Sequence, residues 1–318
     1  MKNDEILVSV CMITYNHEEF ICEAIEGVLM QKTNFPIELI IGEDCSTDNT
    51  RKIVLEYAEK HPDIICPLLP ESNLGMMKNF IQTMEAARGK YIALCEGDDY
   101  WTDPYKLQKQ VDFLEANEEY TVCSHRFHIY NKNANKLIQD HLADLFLDKE
   151  FGCEFDLEAN MKYAMSKTLT LLFRRSSIDF SLLNQYKYTR DVHLQYHLLN
   201  QNRKGYCLSF FGGVYNEHEG GVYSSIDILD KRKITCKIFQ ELVYLNNGDE
   251  VLIYMYQIAN ENLLRIFRQT IKQRKIIKNR VIQDLYFLLR VHYDKRGLLS
   301  VIDVVVKLAK SFLLSLFR

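Results

Sequence analysis

The sequence predicts an α/β fold: a mostly parallel sheet flanked by helices, followed by a helical C-terminal extension. Over the first 100 residues, short apolar runs alternate with segments of helical periodicity. These runs are continuously apolar, which is typical of parallel strands that are buried on both faces. From residue 226 onward the pattern is helical and contains no proline.

In the first part of the chain, the pattern predicts four strands joined by three helices. The strands are predicted at residues 6–13, 37–42, 64–69 and 91–95, and the helices near 18–30, 48–60 and 76–87. Residues 121–222 are less regular. There we predict strands at 121–130, 168–174 and 205–215 and a helix at 191–201. The last strand is expected to bend at Gly212 and Gly213.

The composition indicates a globular protein with a sizeable core. The 318 residues are 47% hydrophobic and 26% charged. The first ten residues include acidic side chains and only a short apolar stretch, unlike a secretory signal, so a cytosolic location is expected. The nine cysteines form no C-x-x-C pair, and we interpret them as buried, reduced thiols.

The net charge of −4 conceals an asymmetry along the chain. Residues 265–318 contain 13 Lys and Arg but only 3 Asp and Glu. Within this stretch, the basic run 266–280 precedes an amphipathic segment at 297–318. We expect contact with a membrane surface through residues 266–318, and the alternative is a helix packed on protein.

Polar residues gather in the loops that follow the first four strands. These loops are 14–19, 43–50, 71–75 and 96–101. Because the carboxyl ends of parallel strands share one edge of the sheet, where ligands bind, we expect all four loops on one rim. Asp44 is not needed to cap the helix after its loop, and Gly75 permits close approach of backbone to a ligand.

The stretch LCEGDDYW crowds three carboxylates together, Glu96, Asp98 and Asp99. Each charge raises the cost of ionising the next, which favours a cation among them. The chain has no P-loop motif and no G-x-G-x-x-G, which disfavours P-loop hydrolases and dinucleotide oxidoreductases. A divalent metal held by one or two carboxylates is the remaining way to hold a nucleotide diphosphate on such a sheet.

Four stretches in this order resemble the nucleotide-sugar-binding half of a family 2 glycosyltransferase, with the Rossmann-like GT-A type fold. They are SVCMITYNHEEFICEAIEGVLMQ, EDCSTDNT, NLGMMKNF and ARGKYIALCEGDDYWTDPYKLQKQVDFLE. The resemblance covers about residues 6–225 and is strongest up to 117. It implies a glycosyltransferase domain at residues 1–225, followed by a helical region at 226–318. Within the domain, residues 1–117 would bind the nucleotide sugar and residues 118–225 would bind the acceptor.

The resemblance implies that residues of all four loops bind the nucleotide-sugar donor. They are Thr14, Tyr15, Asn16, Glu18, Asp44, Asn73, Gly75, Glu96 and Asp98. The first three would line the base and ribose. Asp44 would accept a hydrogen bond from the base, which favours a uridine or thymidine nucleotide. The family's D-x-D pattern falls on Glu96-Gly97-Asp98, with Glu96 in place of the more usual Asp.

The resemblance also implies a divalent metal, Mg²⁺ or Mn²⁺, and a catalytic base. The expected metal contacts are Asp98, Asp99 and His218, the last in a loop that folds over the diphosphate. In the family the base is an acidic residue at the start of a helix in the acceptor half, and Asp191 matches that position. The alternative role for Asp191 is that of a helix N-cap only.

The function implied is inverting, metal-dependent transfer of a sugar from a nucleotide diphosphate sugar to a hydroxyl acceptor. Polysaccharide or lipid-linked saccharide assembly is the expected process, at the cytoplasmic, inner face of the membrane. The acceptor would be a saccharide or lipid-linked saccharide, and nucleic acid is not an expected partner. Arg126, Arg174 and Arg175 either contact an anionic acceptor or form solvated surface.

Two functions from other classes stay open. A nucleotidyltransferase would use a similar sheet and carboxylates, but no glycine- and basic-rich loop follows the first strand to hold a triphosphate. A catalytically silent scaffold on a membrane would keep the fold and the basic tail, although Asp98 and Asp191 are both present.

Overall fold

The computed structural model describes residues 5–188, 190–218 and 226–272. The chain divides into two compact units, Met1–Ser224 and Ser225–Arg318. The first unit contains a ten-stranded sheet. The second contains two long helices that pack against each other.

Ten strands and seven helices of the first unit follow one another along the described chain. The strands are β1 Val8–Thr14, β2 Ile37–Glu43, β3 Ile65–Leu68, β4 Tyr91–Leu94, β5 Tyr100–Trp101, β6 Tyr120–Asn131, β7 Lys136–Gln139, β8 Gly152–Phe155, β9 Leu172–Arg174 and β10 Lys204–Glu217. The helices are α1 Ile21–Leu29, α2 Thr50–Lys60, α3 Met76–Glu85, α4 Lys106–Ala116, α5 Leu157–Tyr163, α6 Phe180–Leu183 and α7 Asp191–Leu199.

The sheet has the order β3-β2-β1-β4-β9-β6-β10-β5, with β7 beside β6 and β8 beside β10. β3, β2, β1 and β4 are parallel neighbours. β9 runs antiparallel between β4 and β6, and β6 and β10 are parallel. Helices α1 to α4 contact this sheet. The predicted α/β fold is therefore confirmed, with the four parallel strands in the first hundred residues.

The core explains why the first strands are continuously apolar. Val8, Val10 and Met12 of β1 are fully buried, as are Leu39 of β2 and Tyr91 of β4. Both faces of these strands are covered, so there is no solvent face to require polar side chains. Most polar residues are left for the loops at the strand ends, while Ser9 of β1 and Glu38 of β2 are buried and hydrogen-bonded to each other at 2.6 Å.

One predicted strand is only partly correct. The strand predicted at 168–174 begins as a 3₁₀ turn, Thr168–Thr170, and only its end forms β9. The amide and hydroxyl of Thr170 both donate to the carbonyl of Lys167, at 2.8 and 2.7 Å. The carbonyl of Leu169 accepts from the indole nitrogen of Trp101, at 2.9 Å. The carbonyls of Lys167 and Leu169 are thus bonded to Thr170 and Trp101, and not to a neighbouring strand as in a β-ladder.

The bend predicted in the last strand is confirmed. The pairing of β6 with β10 shifts register between Leu208 and Phe211 and again between Phe211 and Gly213. A Cβ at Gly213 would lie 2.9 Å from the carbonyl oxygen of Tyr100. Glycine therefore lets β10 pass close to β5 and reach the end of the sheet where the polar loops lie.

The second unit contains α8 Ile228–Leu245 and α9 Glu250–Lys272. Among the residues described, no helix has the length and apolar character required to cross a membrane. The predicted amphipathic segment 297–318 and most of the basic run 266–280 lie outside the described residues.

Candidate functional site

Backbone contacts bring the ends of β1, β2 and β4 together. The amide of Asp44, after β2, donates to the carbonyl of Thr14 at 3.0 Å. The amide of Gly97, after β4, donates to the carbonyl of Ile13 at 2.9 Å. A Cβ at Gly97 would lie 2.6 Å from Thr14 Oγ1, so only glycine fits between the two loops. The polar loops after these three strands therefore lie side by side.

Asp98 is the centre of the site because two imidazoles converge on one of its oxygens. Its Oδ2 lies 3.2 Å from His218 Nε2 and 3.7 Å from His17 Nε2. Burial favours a raised pKa for Asp98, but the hydrogen bond with His218 and the positive charge of His17 outweigh it and lower the pKa. The structure thus brings together Asp98 and His218, which are 120 residues apart.

His17 is a site residue that the sequence reasoning missed. It lies in the polar loop after β1, between the predicted contacts Asn16 and Glu18, so its position in the loop was an available signal. Its ring and that of His218 both lie near Phe20, with centroid distances of 6.4 and 4.6 Å. Phe20 therefore supports both imidazoles at the start of α1.

Asp99 has a different environment from Asp98 and attaches β10 to the loop. Its Oδ1 accepts from the amide of Asn216 at 2.9 Å, and Asn216 Nδ2 donates to the carbonyl of Asp98 at 2.6 Å. Asp99 is only 1% exposed, and its Oδ2 has no hydrogen-bond partner among the described residues. Burial, followed by the charges of Asp98 and Glu96, raises the pKa of Asp99 well above its ordinary value.

Glu96 completes the carboxylate cluster and connects it with Asp191. Burial, then the charges of Asp98 and Asp191, raise the pKa of Glu96 to about 8. The charges of Lys167 and Arg190 oppose this rise. Asp191 thus lies within electrostatic range of the cluster, although it is 95 positions away in the chain.

Asp191 is the first residue of α7, and Arg190 occupies the N-cap position before it. Asp191 Oδ1 accepts from the amide of Val192 at 3.0 Å. His193 Nδ1 accepts from the amide of Arg190 at 3.0 Å, while the amide of His193 donates to the carbonyl of Arg190 at 2.9 Å. The N-terminus of α7 is held by His193 and Arg190, so Asp191 is not its N-cap residue.

The predicted base and ribose contacts hold two loops together. Asn16, at a positive φ of 55°, accepts from the amide of Thr47 at 2.8 Å. Glu18 Oε2 accepts from the amide and side chain of Asn49, at 3.0 and 2.7 Å. Thr14 is buried, whereas Tyr15 is 43% exposed. Tyr15 therefore presents a ring surface to solvent.

Asp44 organises the loop that follows β3. Its Oδ1 accepts from the amide of Leu74 at 2.7 Å, and its Oδ2 from the amide of Gly75 at 3.0 Å. Asn73 Nδ2 donates to the carbonyl of Asp44 at 2.8 Å. Each carboxylate oxygen has two lone pairs, so Asp44 retains acceptor capacity for a ligand after making these bonds.

A cavity of about 380 Å³ borders His218, on the histidine side of the site. It is lined by Asn16, Glu18, Glu19, Phe20, Asp48, Lys132, Asn133 and His218. In the residues that the structure describes, no group of three or more His, Cys, Asp or Glu side chains is gathered in a metal-holding arrangement.

The donor atoms nevertheless suit a divalent cation that phosphate oxygens would help to coordinate. Asp98 and His218 offer a carboxylate oxygen and an imidazole nitrogen. The buried Oδ2 of Asp99 lacks a partner among the described residues. The carboxylate oxygens, together with phosphate oxygens, suit Mg²⁺ or Mn²⁺.

The arginines considered as acceptor contacts have structural partners, so the solvated-surface interpretation is wrong for two of them. Arg126 is 8% exposed and donates to Asp140, with a shortest distance of 2.8 Å. Arg174 donates to backbone carbonyls, including that of Leu114 at 2.6 Å. The guanidinium groups of Arg126 and Arg174 therefore bond to other parts of the protein around β6 and β9.

The comparisons with known proteins agree with this architecture. The model of the family "Glycosyl transferase family 2" matches residues 9–180. An uncharacterized protein of Mycobacterium tuberculosis is 48% identical over 129 residues, which are 41% of this chain and 37% of that protein. The putative teichuronic acid biosynthesis glycosyltransferase TuaG of Bacillus subtilis is 38% identical over 114 residues, 36% of this chain and 44% of that protein. The matched region thus spans less than half the length of these curated relatives.

A solved structure matches almost the whole chain. The fold is similar to that of S. aureus TarS in complex with UDP-GlcNAc, with a TM-score of 0.67. The match covers 96% of this chain and 89% of the TarS 1–349 chain at 21% identity, and it concerns the fold. The predicted family resemblance and GT-A type fold are confirmed, and the chain belongs to glycosyltransferase family 2.

Proposed function

We propose that this chain transfers a sugar from a nucleoside diphosphate sugar to a hydroxyl acceptor, with inversion at the anomeric carbon and with a divalent metal. We assign this reaction to residues 1–225, the donor to 1–117 and much of the acceptor cleft to 118–225. The observation that carries the proposal is the position of Glu96 and Asp98 at the carboxyl end of the parallel strand β4, with Asp191 at the start of α7 in electrostatic range of Glu96.

The donor would lie across the loops after β1, β2 and β3. The exposed ring of Tyr15 would stack on the base, while Thr14 and Asn16 shape the turn beneath it. Asp44 would accept from the base, with Asn73 and Gly75 keeping its carboxylate in place. TarS was crystallised with UDP-GlcNAc, which makes UDP the first nucleotide to test, with thymidine nucleotides next.

Asp98 and His218 are the residues that would hold the metal, with the unpartnered Oδ2 of Asp99 as a third contact. A bound Mg²⁺ or Mn²⁺ would stabilise negative charge on the diphosphate leaving group. Glu96 would contact the ribose or a water of that cation.

Asp191 would act as the base. It takes the proton of the acceptor hydroxyl while the acceptor oxygen forms a bond to the anomeric carbon and the bond to the diphosphate breaks. Because the attack and departure occur on opposite faces, the product has the inverted configuration. The position of Asp191 at the start of α7, in electrostatic range of Glu96, supports this role.

The proposal is tested by measuring UDP binding by calorimetry with and without Mn²⁺. We expect tight binding only with the metal, and a loss of about tenfold or more in Asp98→Asn, because a charged ligand is removed. Asp63→Asn, an exposed aspartate, serves as control and leaves binding unchanged. Metal-independent UDP binding in the native protein would contradict the metal role.

Asp191→Asn separates the base from the binding residues. It should keep UDP affinity but lower turnover by a factor on the order of 10²–10⁴, the contribution of general base catalysis. Proton NMR of the glycoside product reports the anomeric configuration, and retention would overturn the inverting assignment.

The two alternative functions predict other outcomes. Release of diphosphate from a nucleoside triphosphate would favour the nucleotidyltransferase, and absence of donor turnover with every acceptor would favour the scaffold.

We further propose that the acceptor belongs to polysaccharide or lipid-linked saccharide assembly at the cytoplasmic face of a membrane. The printed name of TuaG concerns teichuronic acid biosynthesis. The 13 Lys and Arg against 3 Asp and Glu in residues 265–318 suit an anionic lipid surface. The full chain should sediment with anionic vesicles, and replacing Arg274, Lys275 and Lys278 by Gln should weaken this. Equal binding to neutral vesicles would contradict the proposal.

A further inference from the structure

Two cations at the site lack an acidic partner. Lys167 and Arg190 are both partly buried, yet neither forms an ion pair with a carboxylate among the described residues. Arg190 Nη1 contacts the sulfur of Met76 at 3.7 Å, which is a weak acceptor for a guanidinium group. Partly buried cations usually find a carboxylate, so their positive charge is left for a ligand.

Lys167 is held at the edge of the carboxylate cluster by its neighbours. Its Nζ lies 4.3 Å from the centroid of the Tyr215 ring. Tyr215 immediately precedes Asn216, which bonds both Asp98 and Asp99. The 3₁₀ turn after Lys167 is tied to Trp101 through the carbonyl of Leu169. The ammonium group is thereby placed on one side of the cluster instead of ranging over the surface.

Both cations lie within electrostatic range of Glu96, as does the proposed base, Asp191. The charge of Lys167 also acts on Asp99, whereas the imidazoles of His17 and His218 act on Asp98. Arg190 is also the residue directly before Asp191. The metal and diphosphate are assigned to the histidine side, so an anion between Lys167 and Arg190 would belong to the acceptor.

We propose that Lys167 and Arg190 form an anion subsite that binds a carboxylate or phosphate group of the acceptor sugar, next to the hydroxyl that faces Asp191. The planar guanidinium and the compact ammonium are the side chains that pair best with such groups. This subsite rests on the proposed function, since it takes Asp191 to mark the acceptor side.

The test compares three sugars that differ at one position: glucose, glucuronate and glucose 6-phosphate. Dissociation constants are measured by saturation-transfer NMR in the presence of saturating UDP and Mn²⁺, which occupy the donor region. We expect the native protein to bind at least one anionic sugar about tenfold more tightly than glucose, the effect of one charge-assisted hydrogen bond. Lys167→Gln and Arg190→Gln should each remove most of this preference.

Two further variants make the result specific. Lys167→Arg keeps the charge and should keep the preference, while Lys52→Gln removes a 75% exposed lysine from α2 and should change nothing. Equal affinity of the native protein for all three sugars would overturn the subsite. The subsite would also be overturned if Lys167→Gln and Arg190→Gln lost UDP affinity as much as they lost affinity for the anionic sugar, because the two cations would then belong to the donor site. Failure of the native protein to bind UDP would instead contradict the proposed function on which the subsite rests.

Discussion

Lys106 lies at the start of α4 with its ammonium group fully buried. Its Nζ is 3.7 Å from the centroid of the Trp101 ring and has no hydrogen-bond partner among the described residues. Burial lowers the pKa of Lys106 to about 7, against an ordinary value of 10.5. A cation–π contact only partly replaces the hydration that this group loses. The lysine therefore costs free energy of folding whenever it carries its proton.

This burial predicts a pH dependence of stability. Between pH 7 and 10.5 the unfolded chain still binds the Lys106 proton and the folded chain has lost it, so the free energy of unfolding rises with pH. Between pH 7 and 9, the free energy of unfolding of the native protein should rise by about 2 kcal/mol relative to that of Lys106→Met, as measured by urea unfolding. Lys52→Met is the exposed control and should show no such trend. A difference that stays constant with pH would contradict the prediction.

Gly97 is the residue where space is most limited in the carboxylate cluster. An added Cβ would lie 2.6 Å from Thr14 Oγ1 and 2.7 Å from Thr14 Cβ, and the latter is attached to the backbone of β1. Gly97→Ala should therefore lower the free energy of unfolding by about 1–3 kcal/mol, as overpacking does, and displace Asp98. Calorimetry with UDP and Mn²⁺ should show weaker binding. Unchanged stability and affinity would mean that β1 can move away at little cost.

At the scale of elements, the loop before α3 depends on one backbone conformation. Gly75 has φ +83° and ψ 148°, a region open essentially to glycine, and a Cβ there would meet nothing within 4 Å. The cost of a side chain would therefore come from the backbone alone. Through the amides of Leu74 and Gly75, this loop is bonded to the carboxylate of Asp44.

A double-mutant cycle tests this connection. Gly75→Ala should lower the free energy of unfolding by about 1–3 kcal/mol, and Asp44→Asn should lower UDP affinity. Because both act on the same loop, their effects on UDP binding should be less than additive. Gly248→Ala, also at a positive φ but in the second unit, controls for general strain and should leave UDP binding unchanged. Strict additivity would indicate that loop and carboxylate act independently.

At the scale of the molecule, all residues assigned to the donor and the base lie in the first compact unit. That unit also contains every strand of the described sheet. We therefore expect a fragment of residues 1–224 to unfold cooperatively and to bind UDP with Mn²⁺ within about threefold of the full chain. Asp98→Asn in the fragment should weaken that binding by about tenfold or more, as in the full chain. A fragment without cooperative unfolding, by circular dichroism, would show that the second unit is needed for folding.

Local pattern sufficed for the first four strands, their helices and the polar loops at one end of the sheet. Burial on both faces makes such strands continuously apolar, and that property is visible in any short window. The bend of β10 was likewise visible in Gly212 and Gly213. The crowding of Glu96, Asp98 and Asp99 indicated a cation site by itself, whereas Asp191 was identified only through the resemblance to the family. The roles of Asp98 and Asp191 are proposals.

Contacts between distant segments set the remaining features. The 3₁₀ turn at Thr168–Thr170 forms where the sequence suggests a strand, because the indole of Trp101 bonds the carbonyl of Leu169. His17 and Lys167 reach the site only when the chain folds. Folding places His17 beside Asp98 and Lys167 against the ring of Tyr215. Burial and the field of neighbouring charges shift the pKa of Glu96, and both exist only when strands far apart in sequence are packed together.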